Sequence, residues 1–346
     1  MIVIGNTNLF HFVWQVAYNT KGHCYVLEDG KEKGNRFEHN LGARTNDSGD
    51  KSSSTFWIRS VENSFVGNVA AGSRRRGFTF ALPSSIQDKS KNLPGPNNSP
   101  RSQLMTEFSN NAAHSNDDYG LLVDKWYAPQ ESVLRNLRSY RNDNDGIYLR
   151  GWNLALEGAY VADNRVQNVN HKYCDSCRIS DSLIVGLSDT FKSQVIAQDI
   201  WHTCWDEDLS NRLIGLQIMQ YTDKIPYPGL NLTNVHFSGF ENSGCVRPSH
   251  IAFDYSRRIP HYDVLTQFKG ITKSDSTFLP DLCSAEKLGV EDVLFTDLDS
   301  SLHPSGPESF IGSSVIVSTR SFMKGLLLHR SENQKGRDVA CRCYYR

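Results

Sequence analysis

The sequence predicts an all-β chain wound as a right-handed parallel β-helix, a solenoid with loop insertions. Three observations predict it. Four times an apolar residue is followed twelve positions later by a glycine that opens a short apolar run. The stretches between are polar and rich in Asn, Ser and Asp. No long segment carries the i, i+3, i+4, i+7 pattern of an amphipathic helix. Self-similarity with strand-length apolar runs argues for stacked β units.

The repeats come first. Phe10 pairs with Gly22 and the run 24–27, Phe65 with Gly77 and 78–80, Phe108 with Gly120 and 121–123, and Leu134 with Gly146 and 147–149. Phe108 to Leu134 is one coil, whereas Phe65 to Phe108 is a coil plus an insert. Pro83 to Gln103, loaded with Ser, Asn, Lys and Pro, is that insert, and a second lies near 45–54. Further strands are expected at 154–161, 179–185, 213–218, 230–237 and 290–298. We divide the chain into coils over 1–250 and, over 251–346, an irregular excursion and terminal coils continuous with the same solenoid.

Parallel strands about 4.8 Å apart would form inward apolar stacks, and turns between them need left-handed residues such as Gly and Asn. Asn40, Asn68, Asn111 and Asn142 therefore read first as turn and ladder residues. Neither end carries a clear cap, so the sequence reads as part of a larger parent protein.

Composition narrows the function. With 346 residues, 38% hydrophobic and 22% charged, the chain is a globular type, and its net charge of −1 supplies no bulk field for a polyanion. No nucleic-acid partner is expected, and an acidic ligand needs a local patch. Arg74–Arg76 and the row Arg135, Arg138, Arg141 offer one. No stretch reaches the ~18 apolar residues of a membrane span. Sequons stand at Asn46, Asn97 and Asn231. The eight cysteines include one CxxC, Cys174 to Cys177, read as a local disulfide or free thiols rather than zinc.

Several blocks resemble the family of the cell-surface hyaluronidase and the cell-migration-inducing, hyaluronan-binding protein. They are 22–30 with 34–35 and 39–42, then 56–58 with 68–73 and Gly77, then 108–111 with 113–115, then 142–146 with 162–164, and 295–300. Fibrocystin-like receptors share looser versions. The resemblance implies an extracellular β-helix that binds and shortens hyaluronan or a related polysaccharide, with calcium dependence. Relatives place a secretion signal or anchor and a glycine-rich β domain ahead of these coils, and glycosidic cleavage is expected to depend on those parts. The alternative is a non-catalytic glycan-binding or receptor module.

Glycosidic cleavage needs a proton donor and an acceptor across the bond. His23, Glu28, Asp29 and His39 are the catalytic candidates, in a stretch that also holds Glu32 and Glu38. Neighbouring coils would bring Asn40, Asn68, Ser73, Asn111, His114, Arg138 and Arg141 alongside as substrate contacts. Asp143 and Asp145 form a candidate calcium cluster, although Leu154 stands where an EF-hand loop has its final glutamate. Each group also has a bland reading, as a polar turn or a histidine bonded to backbone.

Overall fold

The computed structural model describes residues 2–4, 8–49, 52–92, 99–198, 213–219, 228–241, 249–254, 265–274, 292–299, 301 and 313–318. They wind as a parallel β-helix with three faces per rung, except that Asp292–Asp297 pairs antiparallel with Ser313–Ser318. On the first face His23–Leu27, Ser54–Ile58, Arg76–Phe80 and the leading parts of Leu121–Arg135 and Ile147–Glu157 pair in parallel, one above the next. Arg36–Glu38, Ser64–Val66 and Glu107–Ser109 stack on the second face. Leu41–Ala43, Val69–Ala71, Ala112–His114, Arg138–Tyr140 and Tyr160–Ala162 stack on the third. Cys177–Val185 and Pro228–Ser238 each run through both the second and third faces. Within the stretch 251–346, expected to be partly irregular, residues 265–274 carry Leu265–Lys269 on the second face. The terminal Cys341 to Arg346 lies outside the described residues.

The core follows from the register. On the first face Tyr25, Phe56 and Phe78 are inward equivalents, and their rings stack at 4.6 Å spacings. On the second, Phe37 stacks on Phe65 at 4.8 Å. All five are buried. Higher rungs replace the rings with Leu121 and Ile147, and with Leu134 and Leu156.

Corners bend the chain, and two devices serve them. The first is a column of left-handed residues between the second and third faces: Trp14, His39, Gly67, Asn110, Asn136, Gly158, Asp181, Asn234 and Gly270 all have φ between 52° and 66°. Each carries the bend from one face to the next in its rung. The second device is an Asn ladder. The Asn40 N–H donates to Asn68 Oδ1 at 3.0 Å, and the Asn68 N–H to Asn111 Oδ1 at 2.9 Å. The Nδ2 groups of Asn68 and Asn111 donate in turn to carbonyls of Phe37 and Phe65. A second ladder, Ser73, Asn116, Asn142, Asn164 and Asn168, lines the corner between the third and first faces. A third, shorter one joins Asn35 to Asn63.

The glycine repeat is correct in kind but not wholly in register. Gly77, Gly120 and Gly146 are equivalent at the entry to the first face. Gly22 lies two residues ahead of that position, which Cys24 and Thr55 fill in the earlier rungs. The reason for glycine also differs from the expected one. These three do not have positive φ; a Cβ on Gly77 would sit 2.6 Å from the Gly120 carbonyl, and one on Gly120 2.6 Å from that of Gly146. Close approach of stacked backbones requires them.

The ladder gives a direct test. Asn68→Ala removes two acceptor bonds to Asn40 and strands a buried N–H. We expect a loss of about 2–4 kcal/mol in unfolding free energy by urea titration, with the compact fold retained in circular dichroism. A loss below about 0.5 kcal/mol would show that the ladder is not stabilising.

Candidate functional site

The four catalytic candidates do not converge. His23 begins a first-face strand; its Nδ1 lies 3.1 Å from the Ser54 N–H and its ring packs on Trp57. Glu28 lies just past the end of that strand, five residue steps or about 16 Å away. Paired carboxyls of glycosidases sit only about 5–10 Å apart. His39 is on the following corner, stacked on Trp14 at 4.6 Å. Asp29 is closed off by the 83–103 insert: Ser90 Oγ donates to its Oδ2 at 2.7 Å, and the Gln87 N–H to its carbonyl. Glu32, buried, accepts the N–H groups of Glu28, Asp29 and Gly30 at 2.6–2.8 Å, so it fixes this turn. Burial raises its pKa. The arrangement is a locked corner, and His23, Glu28, Asp29 and His39 do not share one centre.

Four substrate-contact expectations give way for a related reason. Asn40, Asn68, Asn111 and Ser73 are at most 1% exposed. Their amides or backbone belong to the ladders, which leaves them no face for a ligand. Asp143 and Asp145 also fail to share a centre. Asp143 points at Arg165, 3.4 Å away, whereas Asp145 is buried and accepts from Asn170 Nδ2 at 2.9 Å. Among the described residues no three His, Cys, Asp or Glu side chains gather as a metal site would need. Cys177 is disulfide-bonded.

The remaining substrate candidates do come together. Arg138 and Tyr160 are neighbours in one column of the third face, and His114 and Tyr140 in another. The His114 and Tyr140 rings are parallel with centroids 4.8 Å apart. Arg141 is on the adjoining corner, with φ 55°, its guanidinium 4.9 Å over the Phe191 ring. Burial and the Arg141 charge both lower the His114 pKa, which keeps the imidazole neutral near pH 7. Arg138 and Arg141 are exposed and form no ion pair among the described residues. Arg135, first in the sequence row, lies on the second face beside Glu157 at 3.6 Å.

Sequence reasoning missed a second cluster, at the entry to the first face. Arg76, Tyr119, Asp145 and Gln167 are register equivalents on successive rungs. Arg76 Nε lies 3.3 Å from Asp118 Oδ2, and Asn144 Nδ2 donates to Asp118 Oδ1 at 2.9 Å. Tyr119 packs edge-on to Tyr148 at 5.6 Å. Burial, with Asp118 adding, lifts Asp145 from 3.8 to about 7, and burial with both aspartates lifts Tyr119 to about 12. The signal was available only through register: these residues lie 42 or 26 positions apart and meet because a rung has those lengths.

Comparison with known proteins agrees with this architecture. The family model described as CEMIP beta-helix matches residues 1–51 and 43–121. The resemblance to the hyaluronan-binding family is real. The mouse cell migration-inducing and hyaluronan-binding protein is 26% identical over 253 residues, 54% of this chain and 18% of that protein. The zebrafish cell surface hyaluronidase is 26% identical over 238 residues, 50% of this chain and 16% of its own length. Mouse fibrocystin-L is 23% identical over 273 residues, 71% of this chain and 6% of that protein. The chain thus spans under a fifth of the length of these relatives. Among the described residues no helix is long and apolar enough to cross a membrane.

The buried Asp145 makes stability depend on pH. In the folded chain it holds its proton up to about pH 7, whereas an unfolded aspartate loses it near 4. Folding takes up a proton between those values, so this contribution falls as pH rises from about 4 to 8. Unfolding titrations at pH 5 and 8 should show Asp145→Asn gaining a few kcal/mol on the wild type at the higher pH. An equal difference at both pH values would place the proton elsewhere.

Proposed function

We propose that this chain is the β-helix segment of a larger extracellular protein that binds hyaluronan or a related acidic polysaccharide, held across the third face. The observation that carries the reading is the patch of Arg138, Arg141, His114, Tyr140 and Tyr160. Arg138 forms no ion pair among the described residues and Arg141 faces the Asp163 carboxylate of the next rung; both guanidiniums are exposed and suit the carboxylates of a uronate chain, since arginine binds planar anions in two-point fashion. Aromatic rings beside them offer surfaces for the apolar faces of sugars. The rungs repeat at about 4.8 Å, so a chain laid along the solenoid axis meets successive contacts in register. The chain's net charge is −1, so this attraction is local rather than global. Relatives named for hyaluronan binding and for cell-surface hyaluronidase activity support the same ligand and an extracellular place.

A second reading, a receptor segment without glycan chemistry, has one observation in its favour. Fibrocystin-L aligns over more of this chain than the hyaluronan-related proteins do.

Binding of long hyaluronan to the purified chain separates the two. Arg138→Ala with Arg141→Ala should weaken affinity about tenfold or more, roughly 1.4 kcal/mol, and flatten its salt dependence. Arg135→Ala, on another face, should change it less than twofold. A folded wild type that does not bind, or a double variant that binds as tightly, would remove the third-face reading.

A further inference from the structure

We propose that Asn231 is an N-glycosylation site on the second wall, the acceptor of an oligosaccharide supplied by a lipid-diphosphate donor in the secretory lumen. The inference rests on the extracellular place given above and not on the ligand.

The sequence carries three Asn-x-Ser/Thr sequons, at Asn46, Asn97 and Asn231. A sequon serves as a site where the fold leaves its amide on the surface and its glycan room in solvent. Asn97 lies outside the described residues. Asn46 and Asn231 are in opposite situations.

The Asn46 amide belongs to the fold. Asn46 is half-buried, and its Nδ2 donates to Asn19 Oδ1 at 2.8 Å and to the carbonyls of Arg44 and Thr20 at 3.3 and 3.4 Å. Its backbone N–H donates to the Thr20 carbonyl, and its carbonyl accepts the Gly22 N–H. A sugar on Nδ2 would replace one amide proton and crowd Asn19.

Asn231 is built the other way. It lies in Pro228–Ser238, where that strand crosses the second face. Leu230 and Leu232 are buried, so the period of two turns Asn231 and Thr233 outward on one wall. Asn231 is exposed, and its side chain forms no hydrogen bond among the described residues. Its neighbours leave space. Arg178, one rung before, is held by Glu131 and Glu157 at 3.1 Å and by Ser180, all on its own rung or earlier ones. Gln267, one rung after, is half-buried. The Asn231 nitrogen therefore carries a substituent into solvent at no cost in protein hydrogen bonds. The Thr233 hydroxyl, the second recognition group of a sequon, stands two positions on along the same wall.

The step is a substitution with no change of oxidation state. Asn231 Nδ2 forms a bond to the anomeric carbon of the donor sugar as that carbon's bond to the diphosphate oxygen breaks. The amide gives up one proton, and the lipid diphosphate leaves. The glycan then covers the wall on which Arg178, Glu131 and Glu157 already satisfy one another. The left-handed corner at Asn234 separates it from the third wall, so Arg138, His114 and Tyr140 stay open.

The test expresses the full chain behind a cleavable secretion leader in animal cells. Glycans are released enzymatically in heavy-oxygen water, which marks each formerly glycosylated asparagine as labelled aspartate, and peptides are mapped. Most secreted chains should be labelled at Asn231. Asn231→Gln and Thr233→Ala should each abolish that label and increase electrophoretic mobility by one glycan, whereas Thr233→Ser should keep both. Binding of long hyaluronan by Asn231→Gln should stay within twofold of wild type. A folded, secreted wild type without label at Asn231, or a label that survives Thr233→Ala, overturns the inference, and a larger change in binding overturns the placement away from the third wall. A labelled wild type that does not bind hyaluronan removes the ligand reading and leaves the glycosylation site standing.

Discussion

The structure depends on satisfying backbone hydrogen bonds at corners that are stacked about 4.8 Å apart. Strand backbones pair with the rungs above and below, but a corner residue turns its N–H out of that ladder. Left unpaired and buried, each such group would cost about 1–3 kcal/mol. Asparagine meets the need because its side chain carries one acceptor and two donors. The carbonyl of Asn68 takes the backbone and side-chain N–H groups of Asn40, and its amide reaches a carbonyl one rung away. The same geometry repeats at Asn116 and Asn142. With these corners fixed, every outward side chain on three walls acquires a defined neighbour.

That frame explains which parts of the fold were legible in the sequence. Asn40, Asn68 and Asn111 could be read because side chain and fold demand the same residue at each rung. Gly77, Gly120 and Gly146 were legible as a repeat, although the cause is crowding by the next carbonyl rather than a left-handed bend. Gly22 was misaligned because Cys24 occupies the equivalent position, bonded through its sulfur to Thr45 at 3.1 Å. Sequence spacing alone could not tell a glycine demanded by the stack from one demanded by a turn, as at Gly22 with φ 89°.

The candidate site was harder to read, and the reason is geometric. His23, Glu28, Asp29 and His39 are close in sequence, but a strand and two corners separate them, and the insert seals one of them. Arg135, Arg138 and Arg141 look like one row, but Arg135 lies on the second face, away from Arg138 on the third and Arg141 at its corner. Proximity in a solenoid runs along the axis, by rung, and inserts change the rung length from 22 to 43 residues. The ladder partners supply the missing ruler. Once Asn116 is matched to Asn142, Tyr119 falls over Asp145, and Asp118 falls within reach of Asn144.

The walls then differ in electrostatic character. On the second face Arg178 joins Glu131 and Glu157 at 3.1 Å, and Arg135 joins the same Glu157. These charges satisfy one another and leave little net field for a ligand, as exposed pairs generally do. On the third face Arg138 forms no ion pair among the described residues, and at the adjoining corner Arg141 faces only the half-buried Asp163 of the next rung, so positive charge is available there to an anion that arrives from solvent. Beyond the next corner burial lifts Asp145 to about 7, beside the Arg76–Asp118 ion pair. A polyanion would thus be drawn to the third wall rather than the second.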